Sequence, residues 1–249
     1  MKENSRRNFL KNSAFAGIVV IASPNLAFTS TSTPNFTEKE LIGKGTPVLY
    51  GSGYKMQRRA HQAFLEMNYE ARKHDMDIRV VSSYRTFNHQ NLIWTRKYNR
   101  FRAKNLSSKE AVFNNIRYTA IPGSSRHHWG TEIDVVDGSI KTSRYPLNTQ
   151  NFHGYGIYKS FREWMDLNAH KFGFYQVYTN DYARKGFKYE PWHYSFAEIA
   201  KPILKEYNER DMQNALKEQQ LLGRQHFTEP FISKYTEDNI LGINRNLLF

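Results

Sequence analysis

The chain has 249 residues, of which 39% are hydrophobic and 15% aromatic, so it can bury one sizeable core and is not disordered throughout. It contains no cysteine, which excludes disulfides, thiolate metal sites and a cysteine nucleophile. The formal net charge of +13 would suit a nucleic-acid partner, but the basic residues are scattered and no nucleic-acid-binding motif is present. We therefore expect no nucleic-acid partner, and note that a basic surface also suits an anionic cell wall.

Residues 1–33 have the pattern of an export signal. Residues 5–11 (SRRNFLK) resemble the twin-arginine consensus, and the apolar run over residues 14–22 is too short to span a membrane comfortably. We expect export by the twin-arginine route to the periplasm or cell envelope, with a membrane tether if the leader is not cleaved. Residues 34–49 read as a linker and entry segment, 50–205 as the main domain and 206–249 as a helical C-terminal extension.

Hydrophobic periodicity predicts a mixture of helices and strands. Apolar residues recur at helical spacing over residues 54–74, 87–102 and 157–172, and Ser107 with Glu110 forms a capping box for a short helix to about residue 118. Residues 77–82, 131–136, 174–178 and 188–196 read as strands, and the tail from residue 197 is helical in composition. The long polar connection over residues 138–156 is expected to border a cleft. This irregular order favours an α+β fold.

Two short stretches contain the residues of a catalytic metal site. His127 and Asp134 stand on either side of Gly130, whose turn can aim both side chains at one ion. A second stretch supplies His193, with Glu190 three residues before it. Two imidazoles and one carboxylate are normal zinc ligands, they leave a fourth position open for water, and a spare carboxylate can act as general base.

Alternatives to this ligand set exist within the same stretches. His128 would be the ligand if the register slipped by one residue, and Asp137 is a rival to Asp134. If residues 190–193 are extended, residues three apart do not share a face, so Glu190 would be offset from His193 and better suited to a base than a ligand. A strand-end ion pair of Glu190 with a hydrogen-bonded histidine would explain the second stretch without any metal.

Taken together, these motifs resemble the VanY-type D-alanyl-D-alanine carboxypeptidases, zinc peptidases that share a fold with the hedgehog signalling domain. The family pattern S-x-H-x-x-G-x-A-x-D matches residues 125–134, and its E-x-W-H matches residues 190–193. Its S-x-Y-R loop with a following glutamine matches residues 83–85 and Gln90. The matches fall in order between about residues 50 and 200. The resemblance implies a single α+β domain with a small antiparallel sheet flanked by helices.

The resemblance also implies a role for each matching residue. It implies one zinc ion per chain held by His127, Asp134 and His193, with Glu190 as the catalytic base. It implies that Arg85 lies near the scissile carbonyl or the substrate carboxylate, to which a guanidinium binds well. For substrate binding we also predict roles for Ser125, Gln90 and Trp192, where Gln90 is expected to steady the Arg85 loop and Trp192 to form a wall.

The implied function is hydrolysis of the peptide stem of peptidoglycan at its terminal D-alanine by a monomeric enzyme. An endopeptidase or L,D-carboxypeptidase with the same zinc site is an alternative, and so is a wall-binding module without catalysis. The chain departs from the family at Glu132, where alanine is usual. This carboxylate is expected to face solvent, to contact a substrate amine, or to hold a ligand imidazole through a hydrogen bond.

Overall fold

Four short strands form one antiparallel sheet. They are β1 Ile78–Ser82, β2 Glu132–Asp137, β3 Phe174–Gln176 and β4 His193–Phe196. The strand order is β1-β2-β4-β3, so β2 and β4 are the two central strands. The computed structural model describes residues 36–249 except 143, 211, 213–215 and 218–219. The predicted leader therefore lies outside the described residues, and the α+β fold with a small antiparallel sheet is confirmed.

Helices flank this sheet, and seven α-helices have both of their ends within the described residues. They are α1 Glu38–Leu41, α2 Arg58–Arg72, α3 Phe87–Arg102, α4 Ser108–Asn115, α5 Lys159–Asn168, α6 Ala197–Glu209 and α7 Glu229–Tyr235. Single turns of 3-10 helix cover Arg126–Trp129, Thr149–Phe152, Ala169–Phe172, Arg224–His226 and Arg245–Leu247, and a π-helical turn covers Thr236–Ile240. No helix in the described ranges is both long and apolar enough to cross a membrane.

Local sequence signals set several of these boundaries. The helix predicted over residues 87–102 is observed with those bounds, and its N-cap Thr86 accepts a hydrogen bond from the His89 N–H. The capping box of Ser107 and Glu110 is also present, although α4 ends before residue 118. The helix predicted over residues 157–172 is α5 followed by a 3-10 turn, and Gly173 ends it in the left-handed conformation with φ 77°.

The strand predicted over residues 188–196 is wrong in its first half. Only His193–Phe196 forms strand, because Pro191 and Trp192 make a turn in which the His193 N–H approaches the Glu190 carbonyl at 3.3 Å. Proline has no N–H to donate to a sheet, which explains why the ladder does not extend back through it. The segment around Glu190 is therefore folded over rather than extended.

One face of the sheet packs on a hydrophobic core with α2 and α5. This core contains Ile133, Val135 and Tyr194 from the central strands, Phe64 from α2 and Phe161 from α5. Because side chains alternate along a strand, the residues between them point to the opposite face. That opposite face carries the polar residues of the candidate site, which are Glu132, Asp134, His193 and Ser195.

A second core joins α3 and α4 to the C-terminal tail. It contains Trp94 and Val112 together with tail residues such as Ile232, Tyr235 and Leu247, all of which are buried. The predicted boundary at residue 205 stays a prediction, but the described tail side chains pack in this core. The Tyr235 hydroxyl accepts a hydrogen bond from the Ile121 N–H at 3.1 Å and lies 2.8 Å from Ser124 Oγ, so the tail supports the turn before the central motif.

We expect Tyr235→Phe to destabilise the protein by about 1–3 kcal/mol, because the buried Ile121 N–H loses its acceptor. The measurement is urea unfolding followed by circular dichroism. Tyr182→Phe is the matched control, since Tyr182 is fully exposed at 101% and should unfold like the wild type. Equal midpoints for the two variants would contradict a supporting role for the tail hydroxyl.

Candidate metal centre

Three ligand residues from three segments converge on the polar face of the sheet. His127 comes from the 3-10 turn Arg126–Trp129, Asp134 from the middle of β2 and His193 from the start of β4. Asp134 and His193 are direct cross-strand partners in the antiparallel register. One ligand atom from each residue lies within 4.8 Å of the others, and all three are buried, so the group is able to hold a metal ion.

The His127 ring is oriented by a backbone carbonyl. Its Nδ1 donates to the Ser83 carbonyl oxygen at 2.7 Å, and its Nε2 lies 3.5 Å from Asp134 Oδ2. Burial, with the nearby Arg85 charge, lowers the pKa of His127 well below its ordinary value. The ring is therefore neutral, with the lone pair of Nε2 directed at the ligand group, as a metal ligand requires.

The His193 ring lies between carboxylates on both of its edges. Its Nε2 is 3.0 Å from Glu132 Oε2, and its Nδ1 is 3.0 Å from Glu190 Oε2. Burial lowers the pKa of His193, but the hydrogen bonds to Glu132 and Glu190 outweigh burial and raise the pKa to about 10. The ring is an imidazolium when no metal is bound, and Nδ1 is the nitrogen that faces Asp134 and Glu190.

Asp134 provides the strongest indication that the group fits a cation. Its Oδ2 accepts a hydrogen bond from Arg85 Nη2 at 2.9 Å, whereas its Oδ1 is buried and accepts no hydrogen bond. His193 Nδ1 is 3.5 Å from that oxygen, an ion-pair distance without hydrogen-bond geometry. Burial raises the pKa of Asp134 to about 6. The carboxylate thus lies 3.5 Å from each of two imidazoles and has one buried oxygen without a hydrogen bond, and a divalent cation would satisfy that donor set.

Glu190 approaches the ligand group from the turn before β4. The expected offset for an extended segment is wrong, because the turn over residues 190–193 folds the carboxylate back onto His193 Nδ1. The Glu190 side chain is 13% exposed and lines the cavity beside the ligand residues. It is therefore the carboxylate of this group that is best placed to meet a molecule bound in the cavity.

Glu132 takes the third of its expected roles and holds a ligand imidazole. It is completely buried, and while Oε2 bonds His193, Oε1 accepts hydrogen bonds from Ser195 Oγ at 2.6 Å and Thr131 Oγ1 at 3.0 Å. Arg126 Nη2 lies 3.2 Å from the same oxygen. Burial raises the pKa of Glu132, but Arg126 and His193 outweigh it, so the carboxyl stays ionised.

Sequence reasoning missed Arg126 and Ser195 as parts of this network. Arg126 is 4% exposed, donates to Ser195 Oγ at 2.8 Å and stacks its guanidinium 4.8 Å over the Trp129 ring. The strand alternation offered a signal for Ser195, which follows His193 by two residues and therefore shares its face. Arg126 had no comparable signal, because its burial depends on Trp129 and on the sheet.

A chain of hydrogen bonds runs from Gln90 through Arg85 to the candidate ligand Asp134. Arg85 donates to Asp134, to Ser82 Oγ at 2.9 Å and, through Nη1, to Gln90 Oε1 at 3.3 Å. Gln90 in turn donates to the Ala120 carbonyl at 2.9 Å. These hydrogen bonds connect Gln90 to the Arg85 loop, and its predicted roles in steadying that loop and in contacting substrate stay predictions.

The two alternative ligands, His128 and Asp137, form hydrogen bonds away from the ligand group. The His128 Nδ1 lies 2.7 Å from the Arg85 carbonyl and its Nε2 accepts a hydrogen bond from the Gly123 N–H, so neither nitrogen faces the ligand group. Burial lowers the pKa of His128 to about 4, which keeps it neutral. Asp137 lies at the far end of β2, where it accepts hydrogen bonds from the Asp77 and Ser139 backbone N–H groups.

A cavity of about 650 Å³ opens beside the ligand residues. Ser125 and Trp192 line it, as do four residues of the polar connection, Tyr145, Leu147, Asn148 and Thr149, so the expectation that residues 138–156 border a cleft is confirmed. Tyr178, which the sequence did not single out, also lines the cavity and packs edge-on against His193 with ring centroids 4.9 Å apart. The arrangement places the three candidate ligands and the Glu190 carboxylate on the wall of one cleft.

Comparison with known proteins identifies a family and several relatives of this chain. The family model for VanY, D-alanyl-D-alanine carboxypeptidase, matches residues 53–199. A D-alanyl-D-alanine carboxypeptidase of Enterococcus faecalis is 31% identical over 123 residues, which are 48% of this chain and 40% of the relative. The putative carboxypeptidase YodJ of Bacillus subtilis is 27% identical over 158 residues, 63% of this chain and 51% of the relative. The chain thus spans only about half or less of these relatives.

The fold is also similar to a solved structure described as VanYB in complex with D-alanine-D-alanine. The TM-score is 0.51 at 23% identity, and the match covers 71% of this chain and 92% of the other. That level of identity supports the fold alone. The family match over residues 53–199 includes every ligand residue, Arg85 and Glu190, and on this basis the chain belongs to the VanY D-alanyl-D-alanine carboxypeptidase family.

Proposed function

We propose that this protein is a zinc-dependent D,D-carboxypeptidase that removes the terminal D-alanine from peptides ending in D-alanyl-D-alanine. The observation that carries the proposal is the Asp134 carboxylate, which lies 3.5 Å from each of the two imidazoles, has a buried Oδ1 without a hydrogen bond, and has Glu190 close by on His193. Membership of the VanY family supports the substrate. The cleft supports access of a peptide to the ligand group.

Zinc suits the donor set of His127, Asp134 and His193. Two imidazole nitrogens and one carboxylate oxygen, all buried, are the three protein ligands that catalytic zinc sites use. When bound, zinc supplies a Lewis acid that polarises a carbonyl and brings the pKa of a water molecule close to neutrality. Glu132 and the Ser83 carbonyl hold the two imidazoles by their outer nitrogens, as neighbours of metal ligands commonly do.

Glu190 is the proton carrier in this proposal. Its carboxylate faces the cleft beside the ligand group, so it accepts the proton of the attacking water and returns it to the leaving amine. Arg85 donates four of its five side-chain N–H groups to Ser82, Gln90 and Asp134. The fifth N–H remains for a substrate oxygen. A charged donor at that point stabilises a carboxylate or a developing oxyanion.

We further propose that the protein is exported by the twin-arginine route and acts on peptidoglycan in the cell envelope. The support is the SRRNFLK pattern of residues 5–11 and the apolar run that follows it. The strongly basic composition, with a net charge of +13, is consistent with adhesion to an anionic wall.

The direct test is mass spectrometry of a stem pentapeptide ending in D-Ala-D-Ala after incubation with the zinc-loaded protein. We expect loss of one alanine, which a chelator prevents. Glu190→Ala should lower kcat at least about 100-fold, because the proton carrier is lost. Glu66→Ala, at an exposed position on α2, is the matched control and should keep full activity.

Zinc content measured on the same samples separates the role of Glu190 from that of a ligand. Glu190→Ala should retain one zinc per chain, and a loss of the metal would mean that Glu190 is a ligand. A pentapeptide left intact, while a tetrapeptide or a crosslinked peptide is cut, would replace the proposal with an L,D-carboxypeptidase or an endopeptidase. No cleavage of any stem peptide would favour a wall-binding module.

Zinc uptake by the metal-free protein is expected to release a proton and to strengthen with rising pH. The pKa of His193 is lowered by burial but raised overall to about 10 by Glu132 and Glu190, so Nδ1 must lose a proton to bind metal at pH 7. Affinity should therefore rise roughly tenfold per pH unit between about pH 7 and 9. Below about pH 6 the rise is steeper, because burial raises the pKa of Asp134 to about 6 and its proton must also leave.

Isothermal titration calorimetry in buffers of different ionisation enthalpy measures this released proton directly. A heat that is independent of the buffer at pH 7 would contradict a protonated His193 in the metal-free protein.

Glu132→Gln is expected to weaken zinc binding by about 10–100-fold, since the negative partner of the His193 Nε2–H is lost while the side-chain shape is kept. The measurement is competition with a chromogenic chelator. Glu66→Gln serves as the control for loss of one exposed carboxylate. Wild-type affinity in Glu132→Gln, with a lowered melting temperature of the metal-free protein, would show that Glu132 acts only on the fold.

A further inference from the structure

A second cavity, of about 580 Å³, lies between the end of α4 and the C-terminal tail. We call it the α4–α7 groove. The apolar residues that line it are Phe113, Ile116, Pro230, Phe231 and Tyr235. The family match ends at residue 199, so the α7 side of the groove lies in the part of the chain beyond that match.

The aromatic rings of the groove hold one another in place. Phe231 meets Phe113 edge-on, with ring centroids 5.6 Å apart. It also stacks on Phe227 and Tyr235, with ring centroids 5.4 and 6.2 Å apart. Those two rings are buried, whereas Phe113 is 46% exposed. An exposed ring beside a preformed cavity leaves water when an apolar group enters, so the groove favours a ligand with a large apolar side chain.

The rim of the groove is positively charged. Lys109, Arg117 and Lys234 line it, and Asp238 is its one carboxylate within the described residues. Lys234 forms a salt bridge with Asp238 at 2.8 Å, whereas Lys109 and Arg117 form none with any residue that the structure describes. Two cations therefore have no carboxylate partner, and they attract a ligand that brings its own.

Neighbouring acidic side chains do not supply the missing charge. Glu110 of α4 accepts the Ser107 N–H in the capping box, and Glu229 at the start of α7 pairs with Lys217. Glu237 lines a separate cavity. None of these three carboxylates lines the groove, so its positive charge is open to an incoming anion.

The spacing of the two cations indicates the size of the ligand. Lys109 lies in the first turn of α4 and Arg117 two residues after its end, so a rise of 1.5 Å per residue puts their backbones about 12 Å apart. One small anion meets both only if both long side chains bend toward it. An extended peptide, at roughly 3.3 Å per residue, covers the distance with about four residues. Such a segment can insert an apolar side chain and present carboxylates to both cations.

We propose that the α4–α7 groove is a docking site for an acidic segment of another protein. In that segment one aromatic or large aliphatic side chain enters the cavity, and carboxylates on either side of it pair with Lys109 and Arg117. The inference goes beyond the proposed carboxypeptidase function and does not depend on it.

Charge and shape disfavour the other occupants. Residues 1–33 contain four basic residues and one acidic residue, and a second copy of this chain has a net charge of +13, so neither complements a cationic rim. The groove is a cavity between two helices, whereas a membrane surface receives an apolar face that projects into the lipid.

The test is fluorescence anisotropy with the zinc-loaded full chain and a labelled, C-terminally amidated peptide. The probe has one phenylalanine at its centre, a pair of glutamates on each side, and glycine and serine at its ends. One matched peptide has glutamine in place of each glutamate, and the other has alanine in place of phenylalanine. We expect the probe to bind roughly tenfold more tightly than either matched peptide, and the preference for glutamate to shrink as salt is raised.

Variants then locate the binding in the groove. Lys109→Gln/Arg117→Gln should remove the preference for glutamate, and Phe113→Ala should remove the preference for phenylalanine. The matched controls are Lys104→Gln and Leu92→Ala, which change exposed residues outside the groove and should bind the probe like the wild type. Circular dichroism checks that each variant is folded.

Equal affinity for the three peptides would overturn the proposal. A preference that survives in both groove variants would do the same, because the binding would then lie elsewhere on the protein. Sedimentation velocity and flotation with phosphatidylglycerol vesicles test the other occupants. If the groove variants abolish self-association or vesicle binding while the wild type shows no preference for the acidic peptide, the groove belongs to a second copy or to a lipid surface, and the proposal fails.

Discussion

The pairing of β2 with β4 is the constraint on which the site depends. Antiparallel register sets Asp134 against His193 and Glu132 against Ser195, while Ile133 and Tyr194 between them point into the core with α2 and α5. A shift of one residue would turn the ligands toward the apolar core and expose the core residues, so the hydrophobic pattern fixes the ligand geometry. Side-chain burial and metal binding are therefore specified by the same ladder.

Electrostatic balance explains how three carboxylates coexist at this buried position. Glu132, Asp134 and Glu190 surround His193, and without metal the imidazolium of that ring and the guanidinium groups of Arg85 and Arg126 neutralise them. A divalent cation held by His127, Asp134 and His193 would supply the positive charge that the His193 proton supplies without it, and would satisfy the buried Asp134 carboxylate. The site is thus held in shape before the metal arrives, and the fixed outer contacts limit the reorganisation that binding requires.

The loops around the sheet are tied to the same group. The Ser83 and Arg85 carbonyls accept hydrogen bonds from the His127 and His128 rings, respectively. The two adjacent histidines therefore hold the backbone of residues 83–85 at two points. His128 Nε2 also accepts a hydrogen bond from the Gly123 N–H, and the Gly123 carbonyl accepts one from the Tyr207 hydroxyl of α6. Gly130 completes the turn with φ 68°, where a Cβ would come within 2.8 Å of Leu49. Residues far apart in the chain therefore position one catalytic loop.

The amino-acid sequence by itself determined which residues form the metal group and which helices flank it. His127 with Asp134, and Glu190 with His193, are close in the chain, and capping signals such as Ser107 with Glu110 act within one helical turn, so local pattern was sufficient. The same pattern separated His127 from His128 only by its match to the family motif, because adjacent histidines are chemically alike.

Tertiary structure alone decided how those residues are used. The nitrogen that each imidazole can offer to a metal is set by the hydrogen bond of its other nitrogen. That partner is Ser83 for His127, 44 residues away, and Glu132 for His193, 61 residues away. The turn at Pro191 placed Glu190 against the metal face, where the sequence predicted an extended strand. The role of Glu132 among its three alternatives, and the pKa directions of the whole group, depend on burial and on distant charges, which no local pattern contains.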